Sequence, residues 1–96
     1  LALLHARRLD DAYLHLEMAH KLQPMNADIL NHWGLVSLEM GNLGDARAKF
    51  ERAVERDVQN PHTWHNLGLV MTKLGQPDKG IAHLRRAIEL KPDHGL

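Results

Sequence analysis

His62 and His65 stand three residues apart, and on a helix that spacing puts both imidazoles on one face. With Asp28 and Asn31 on a neighbouring helix they would resemble a zinc ligand set of two imidazoles and a carboxylate. The set falls short. The chain has eight histidines, but the pattern fixes no third one beside this pair, and Asn31 offers only an amide. Structural zinc takes four ligands. No metal is therefore expected, and the two side chains read as solvated histidines. Free imidazole titrates near pH 6.5, so a partner bound beside His62 and His65 would be held with an affinity that changes between about pH 5.5 and 7.5.

Other chemistries find even less. There is no cysteine, hence no disulfide, thiolate metal site or thiol nucleophile, and the redox compartment stays open. Ser37 is the sole serine and falls on the inner face of a helix, a poor place for a nucleophile. The glycines at 41, 44, 75 and 80 fall at helix ends or packing positions and form no phosphate-cradling run. No enzyme activity and no cofactor are expected. Twelve Lys and Arg balance twelve Asp and Glu, which argues against nucleic acid and against a membrane surface. Trp33 and Trp64 sit at core turns and give no stacking platform for bases. Asp10, Asp11, Glu51 and Arg52 read as solvated helix faces. The chain opens without Met and with too short an apolar run for a signal peptide, and it reads as a segment of a longer one.

What must position these residues is a repeat of thirty-four. Shifting the chain by 34 aligns Ala12 with Ala46 and Gly80, Leu16 with Phe50 and Leu84, and Ala19 with Ala53 and Ala87. Gly34 meets Gly68, Gly41 meets Gly75, and Pro24 meets Pro92 with Val58 between. Each period reads as two helices. In residues 61–94, Asn60 caps and Pro61 takes the first helical position. Trp64, Leu67, Gly68 and Met71 then form one face, and Gly75 stops the helix. Pro77 opens the second helix, with Gly80, Leu84, Ala87 and Ile88 inward, and Pro92 closes it. In residues 27–60 the inner faces are Leu30, Trp33, Gly34 and Ser37, then Ala46, Phe50, Ala53 and Val54, divided by Gly41 and a cap at Asn42. Residues 1–26 predict the tail of a first helix over 1–6 and a second over about 9–22, with Ala12, Leu16 and Ala19 inward. Residues 95–96 would start a further repeat. The array forms a single domain.

Trp64, Leu67, Gly68 and Met71, then Gly80, Leu84 and Ala87, then Pro92, resemble the tetratricopeptide repeat (TPR) pattern along the whole chain. Departures are small: Leu30 and Trp33 exchange roles relative to Trp64 and Leu67, Ser37 and Met71 replace an aromatic, and Val58 replaces the closing proline. The resemblance implies an all-α, right-handed α-solenoid of stacked antiparallel hairpins. It further implies that the first helix of each pair lines a concave groove for a peptide or partner helix.

On that groove would lie Asp28, Asn31, Leu35, Leu38 and Glu39, then His62, His65, Leu69, Thr72 and Lys73, and in the truncated first helix Leu1, Leu4 and His5. Leu1, Leu35 and Leu69 recur at the period, so stacking would align them as an apolar stripe with Leu4 and Leu38 beside it. The stripe either takes an apolar or amphipathic segment of a partner or is covered by neighbouring helices. Some TPR proteins hold chaperone C-termini with Lys, Asn and Arg on these helices. Asn66 and Lys73 fall at such places, but the remaining basic positions are missing, which argues against that ligand.

The ends carry apolar residues where terminal repeats need a polar face. Self-association through them, or a longer array, is expected. The overall expectation is an interaction scaffold for a protein or peptide, or a docking segment of a larger enzyme or secretion machine.

Overall fold

The computed structural model of the chain describes residues 2–91. Five helices follow one another: α1 (Ala2–Leu22), α2 (Ala27–Glu39), α3 (Leu43–Arg56), α4 (Pro61–Lys73) and α5 (Pro77–Glu89). Their ends are written in local chemistry. The side-chain oxygen of Asn26 accepts from the backbone N–H groups of Asp28 and Ile29, that of Asn42 from Asp45, and that of Asn60 from His62. Gly41 and Gly75 have φ of 81° and 83°, the left-handed conformation that ends a helix and is cheap only for glycine. The links Met40–Asn42 and Leu74–Gln76 are only three residues long, so α2 returns on α3 and α4 on α5 as antiparallel hairpins.

One expectation fails at the start of the chain. The predicted break near residue 7 is absent, and α1 runs unbroken from Ala2 to Leu22. The reason is local. Arg7 and Arg8 occupy the positions of Gly41 and Asn42 one period later. An arginine resists the left-handed conformation and supplies no cap, so the helix continues through the place where its counterparts stop.

Stacking uses the predicted inner faces. Ala46, Phe50 and Val54 of α3 pack on Leu67, Val70 and Met71 of α4, with Leu35, Leu38, Trp64 and Leu74 at the margin. Leu30 and Trp33 of α2 pack with Ala53 of α3 and are closed by Tyr13 and Leu16 of α1. Small residues set the distances. A Cβ on Gly34 would stand 2.6 Å from the Phe50 ring, and one on Gly68 would stand 2.8 Å from Leu84 Cγ and 2.9 Å from the Gly80 carbonyl oxygen. Ile88 departs from its predicted inward role: it is 71% exposed, whereas Val54, one period earlier, is 8% exposed beneath α4. Among the described residues no helix lies over Ile88. The architecture is an all-α, right-handed solenoid of stacked antiparallel hairpins, and among the described residues there is no strand.

Candidate functional site

The face shared by α2 and α4 is fixed by one bond. Asn66 Nδ2 donates to Asn31 Oδ1 at 3.0 Å, and both side chains are buried. A buried amide left unpaired would cost about 1–3 kcal/mol, so each holds the other in place and locks α2 beside α4. These two predicted groove residues therefore form a joint between helices. The amide that would have served a bound carboxylate is engaged in that joint.

Around it the predicted residues divide. Leu35 and Leu38 are half-buried against the Phe50 and Met71 cluster. Leu69 remains 36% exposed. Asp28, Glu39, His62, His65, Thr72 and Lys73 are all exposed. Leu4 is exposed on the continuous α1, and Leu1 lies outside the described residues. His5 reaches Glu39, its counterpart one period on, with Nε2 3.8 Å from Oε2. The predicted leucine stripe is thus narrower than its spacing implies: the core takes most of Leu35 and Leu38.

His62 and His65 face a furrow of about 650 Å³ between α4 and α5, lined also by Pro61, Leu84, Ala87, Ile88 and Lys91. Among the described residues no three His, Cys, Asp or Glu side chains come together as a metal site.

A second polar group, missed in the sequence, joins α1, α2 and α3. The Asp45 carboxylate accepts from Ser37 Oγ at 2.6 Å, Lys49 Nζ at 2.8 Å and Tyr13 Oη at 3.1 Å. Lys49 Nζ also lies 4.0 Å from the centre of the Trp33 ring, a cation–π contact. Burial acts to raise the Asp45 pKa. The hydrogen bonds from Lys49 and Ser37, the Lys49 charge and the Tyr13 hydroxyl outweigh it and hold the carboxyl below its ordinary value. Burial and then the Asp45 carboxylate push the Tyr13 phenol up, so it remains a donor at neutral pH. Next to this group the rings of His20 and Trp33 are 5.3 Å apart, and His20 Nε2 is 3.0 Å from Arg52 Nη2. Burial, then the charges of Arg52, Lys49 and Arg56, lower the His20 pKa. Ser37 is fully buried and donates its proton to Asp45, so the cluster presents no nucleophile to solvent. Its work is to clamp α1 onto the first hairpin. The i,i+4 spacing of Asp45 and Lys49 was the one signal of it in the sequence.

The family description of the coatomer epsilon subunit matches residues 3–96. The chain belongs to the coatomer epsilon subunit family. Its repeats are of the TPR type, and the hairpin geometry agrees with that assignment. The Arabidopsis thaliana coatomer subunit epsilon-2 is 28% identical over 89 residues, which are 93% of this chain and 30% of that protein. Human protein O-mannosyl-transferase TMTC3 is 29% identical over 90 residues, 93% of this chain and 10% of that protein. The chain thus spans a tenth to less than a third of the length of these two relatives. Among solved structures, YrrB, described as a TPR protein with an unusual peptide-binding site, superposes with a TM-score of 0.84 at 23% identity, over 96% of this chain and 47% of that one. Among the described residues no helix is long and apolar enough to cross a membrane.

Proposed function

We propose that the chain is a protein–protein interaction scaffold that holds a peptide or partner helix on the face formed by α2 and α4. The observation that carries this reading is the setting of Leu69. It is the large apolar residue left exposed on that face, one period on from Leu35, and Asp28 and Glu39 of α2 and Thr72 and Lys73 of α4 are exposed as well. An apolar anchor inside a mixed-charge rim suits a helix or extended segment with one buried side chain and polar flanks. The Asn31–Asn66 joint holds the two helices side by side before any partner arrives, so little ordering cost falls on binding. The likeness to YrrB supports a peptide ligand. The balanced charge favours a protein partner over nucleic acid or a membrane.

Selection of helical peptides from a displayed random library tests the reading. Binders should carry an apolar residue that contacts Leu69, and Leu69→Asp should weaken them at least tenfold while the circular dichroism spectrum is kept. Binders that hold equally well to the Leu69→Asp chain would place the ligand elsewhere.

One observation favours a second reading, a docking segment within a larger enzyme. The similar stretch in the human mannosyl-transferase is only a tenth of that protein. Appending the catalytic part of a parent protein and measuring its activity with and without Leu69→Asp separates the two.

A further inference from the structure

We propose that His20 is a proton-operated latch: at neutral pH it fastens the C-terminal half of α1 to α2 and α3, and a proton gained at Nε2 releases it. The latch belongs to the α1 junction and is independent of the α2–α4 face around Leu69.

The repeat shows what is unusual at this position. Thirty-four residues on from His20 stands Val54, an apolar side chain 8% exposed beneath α4. The first period thus puts a titratable ring where the second has a hydrophobe that never ionises. The His20 ring is half-buried, 5.3 Å from the Trp33 ring of α2 and tilted by 45° to it. Its Nε2 lies 3.0 Å from Arg52 Nη2 of α3. A guanidinium can only donate, so Nε2 accepts and the neutral ring carries its proton on Nδ1. That Nδ1 is buried, and among the described residues no acceptor meets it.

The neutral ring fits this place and the charged ring does not. A second proton would put an N–H on Nε2, facing the N–H of Arg52. Arg52, Lys49 and Arg56 face the ring from α3, and all three oppose its charge. Arg52 is exposed and can turn aside. Lys49 cannot: it is buried, with Nζ held 2.8 Å from Asp45 and 4.0 Å from the centre of the Trp33 ring. From α2 the imidazole meets that same Trp33, which already holds one cation. Asp45, the acid of this junction, is engaged by Ser37, Lys49 and Tyr13. On α1 itself the Glu17 charge acts on Tyr13 rather than on His20. Latched, the ring titrates below its ordinary value, because burial first and then these three cations oppose the proton. Swung into water, it titrates near 6.5 and its Nδ1–H finds an acceptor. Release is therefore favoured as pH falls below about 6.5 toward the latched pKa. It also uncovers one side of Trp33, which is 6% exposed when the ring is in place.

Nuclear magnetic resonance on the full 96-residue chain tests the latch. Ring nitrogen shifts of His20 at pH 7.5 should show the Nδ1–H tautomer. Amide protection over residues 14–22, corrected for the intrinsic pH dependence of exchange, should fall at least fivefold between pH 7.5 and 5. Residues 66–71 of α4 should change by less than half as much. His20→Gln keeps an acceptor for Arg52 and cannot gain a charge, and His20→Val copies Val54, so either variant should hold α1 protection level across the same range. Arg52→Gln should raise the midpoint at which His20 titrates. An Nε2–H tautomer at pH 7.5, an equal loss of protection in α1 and α4, the same loss in His20→Gln, or a midpoint that ignores Arg52→Gln overturns the proposal.

Discussion

The Lys49 ammonium stands 4.0 Å from the centre of the Trp33 ring, with only 8% of the residue exposed. Its second partner, Asp45, is one turn back on the same helix and also receives Ser37 and Tyr13. A lysine is seldom this buried unless its charge is matched, and here a carboxylate and an aromatic face match it together. Lys49→Met keeps the stem packing and removes the charge, leaving Asp45 with two neutral donors. The expected cost is about 2–3 kcal/mol in urea unfolding. Adding Asp45→Asn should cost less than the sum of the two single changes, a coupling that a double-mutant cycle reads directly.

Acid should loosen the same junction in two stages. His20 has a folded pKa below its unfolded one, because burial and the charges of Arg52, Lys49 and Arg56 oppose its protonation. The unfolded chain therefore binds more protons below about pH 6.5, and stability falls as pH drops through that range toward the folded pKa. His83, lowered by burial first and by Lys79 against the opposing Glu51, acts in the same direction. Asp45 is also depressed, so its contribution is complete above the unfolded value near 4 and is lost as pH falls through the folded one. Unfolding midpoints should decline between pH 7 and 5 and again below pH 4. Asp45→Asn should flatten the second decline and leave the first.

Two glycine-to-alanine changes should have opposite signs. Gly34→Ala would put a methyl group 2.6 Å from a fully buried Phe50 ring. Overpacking of this kind costs about 1–3 kcal/mol, and the midpoint of thermal unfolding should drop by several degrees. Gly44 lies in the first turn of α3 with nothing within 4 Å of an added Cβ. Gly44→Ala should stabilise by up to about 0.5–1 kcal/mol, since alanine loses less backbone entropy in a helix.

Restoring the missing stop signal should divide α1. Replacing Arg7 and Arg8 with Gly and Asn copies the pair that ends α2 and caps α3. Carbon chemical shifts should lose their helical values at residues 6–8 and keep them from residue 10 to 22. Helical shifts persisting through residue 7 would mean that contacts, rather than the lack of a left-handed residue, hold α1 straight.

Much of the fold was legible because it is encoded locally. Asn42 and Asn60, Pro61 and Pro77, and Gly41 and Gly75 mark helix ends through backbone geometry that needs no distant partner. Leu30, Trp33, Phe50, Leu67 and Met71 were identified as core by helical spacing, because the period of the helix dictates which side chains share a face. At residues 1–8 local chemistry overrides the repeat: Arg7 lacks the left-handed conformation that Gly41 supplies.

The candidate site was less legible. The resemblance to the TPR pattern put Asn31, Leu35, Leu38 and Asn66 on a recognition face without saying how deeply each would sink. That depth is set by how closely the helices approach, which depends on Gly34 against Phe50 of α3 and on Asn31 against Asn66 of α4, pairs far apart in sequence.

The sequence by itself determined the four helices from Ala27 to Glu89, their apolar faces and a thirty-four-residue period, since each rests on interactions within one or two turns. Only the tertiary structure decided that Asn66 faces Asn31, that Tyr13 reaches Asp45 across 32 positions, and that Ile88 is left in the open. Those outcomes depend on which helix lies against which, and polar groups become partners or liabilities only once stacking has removed the water between them.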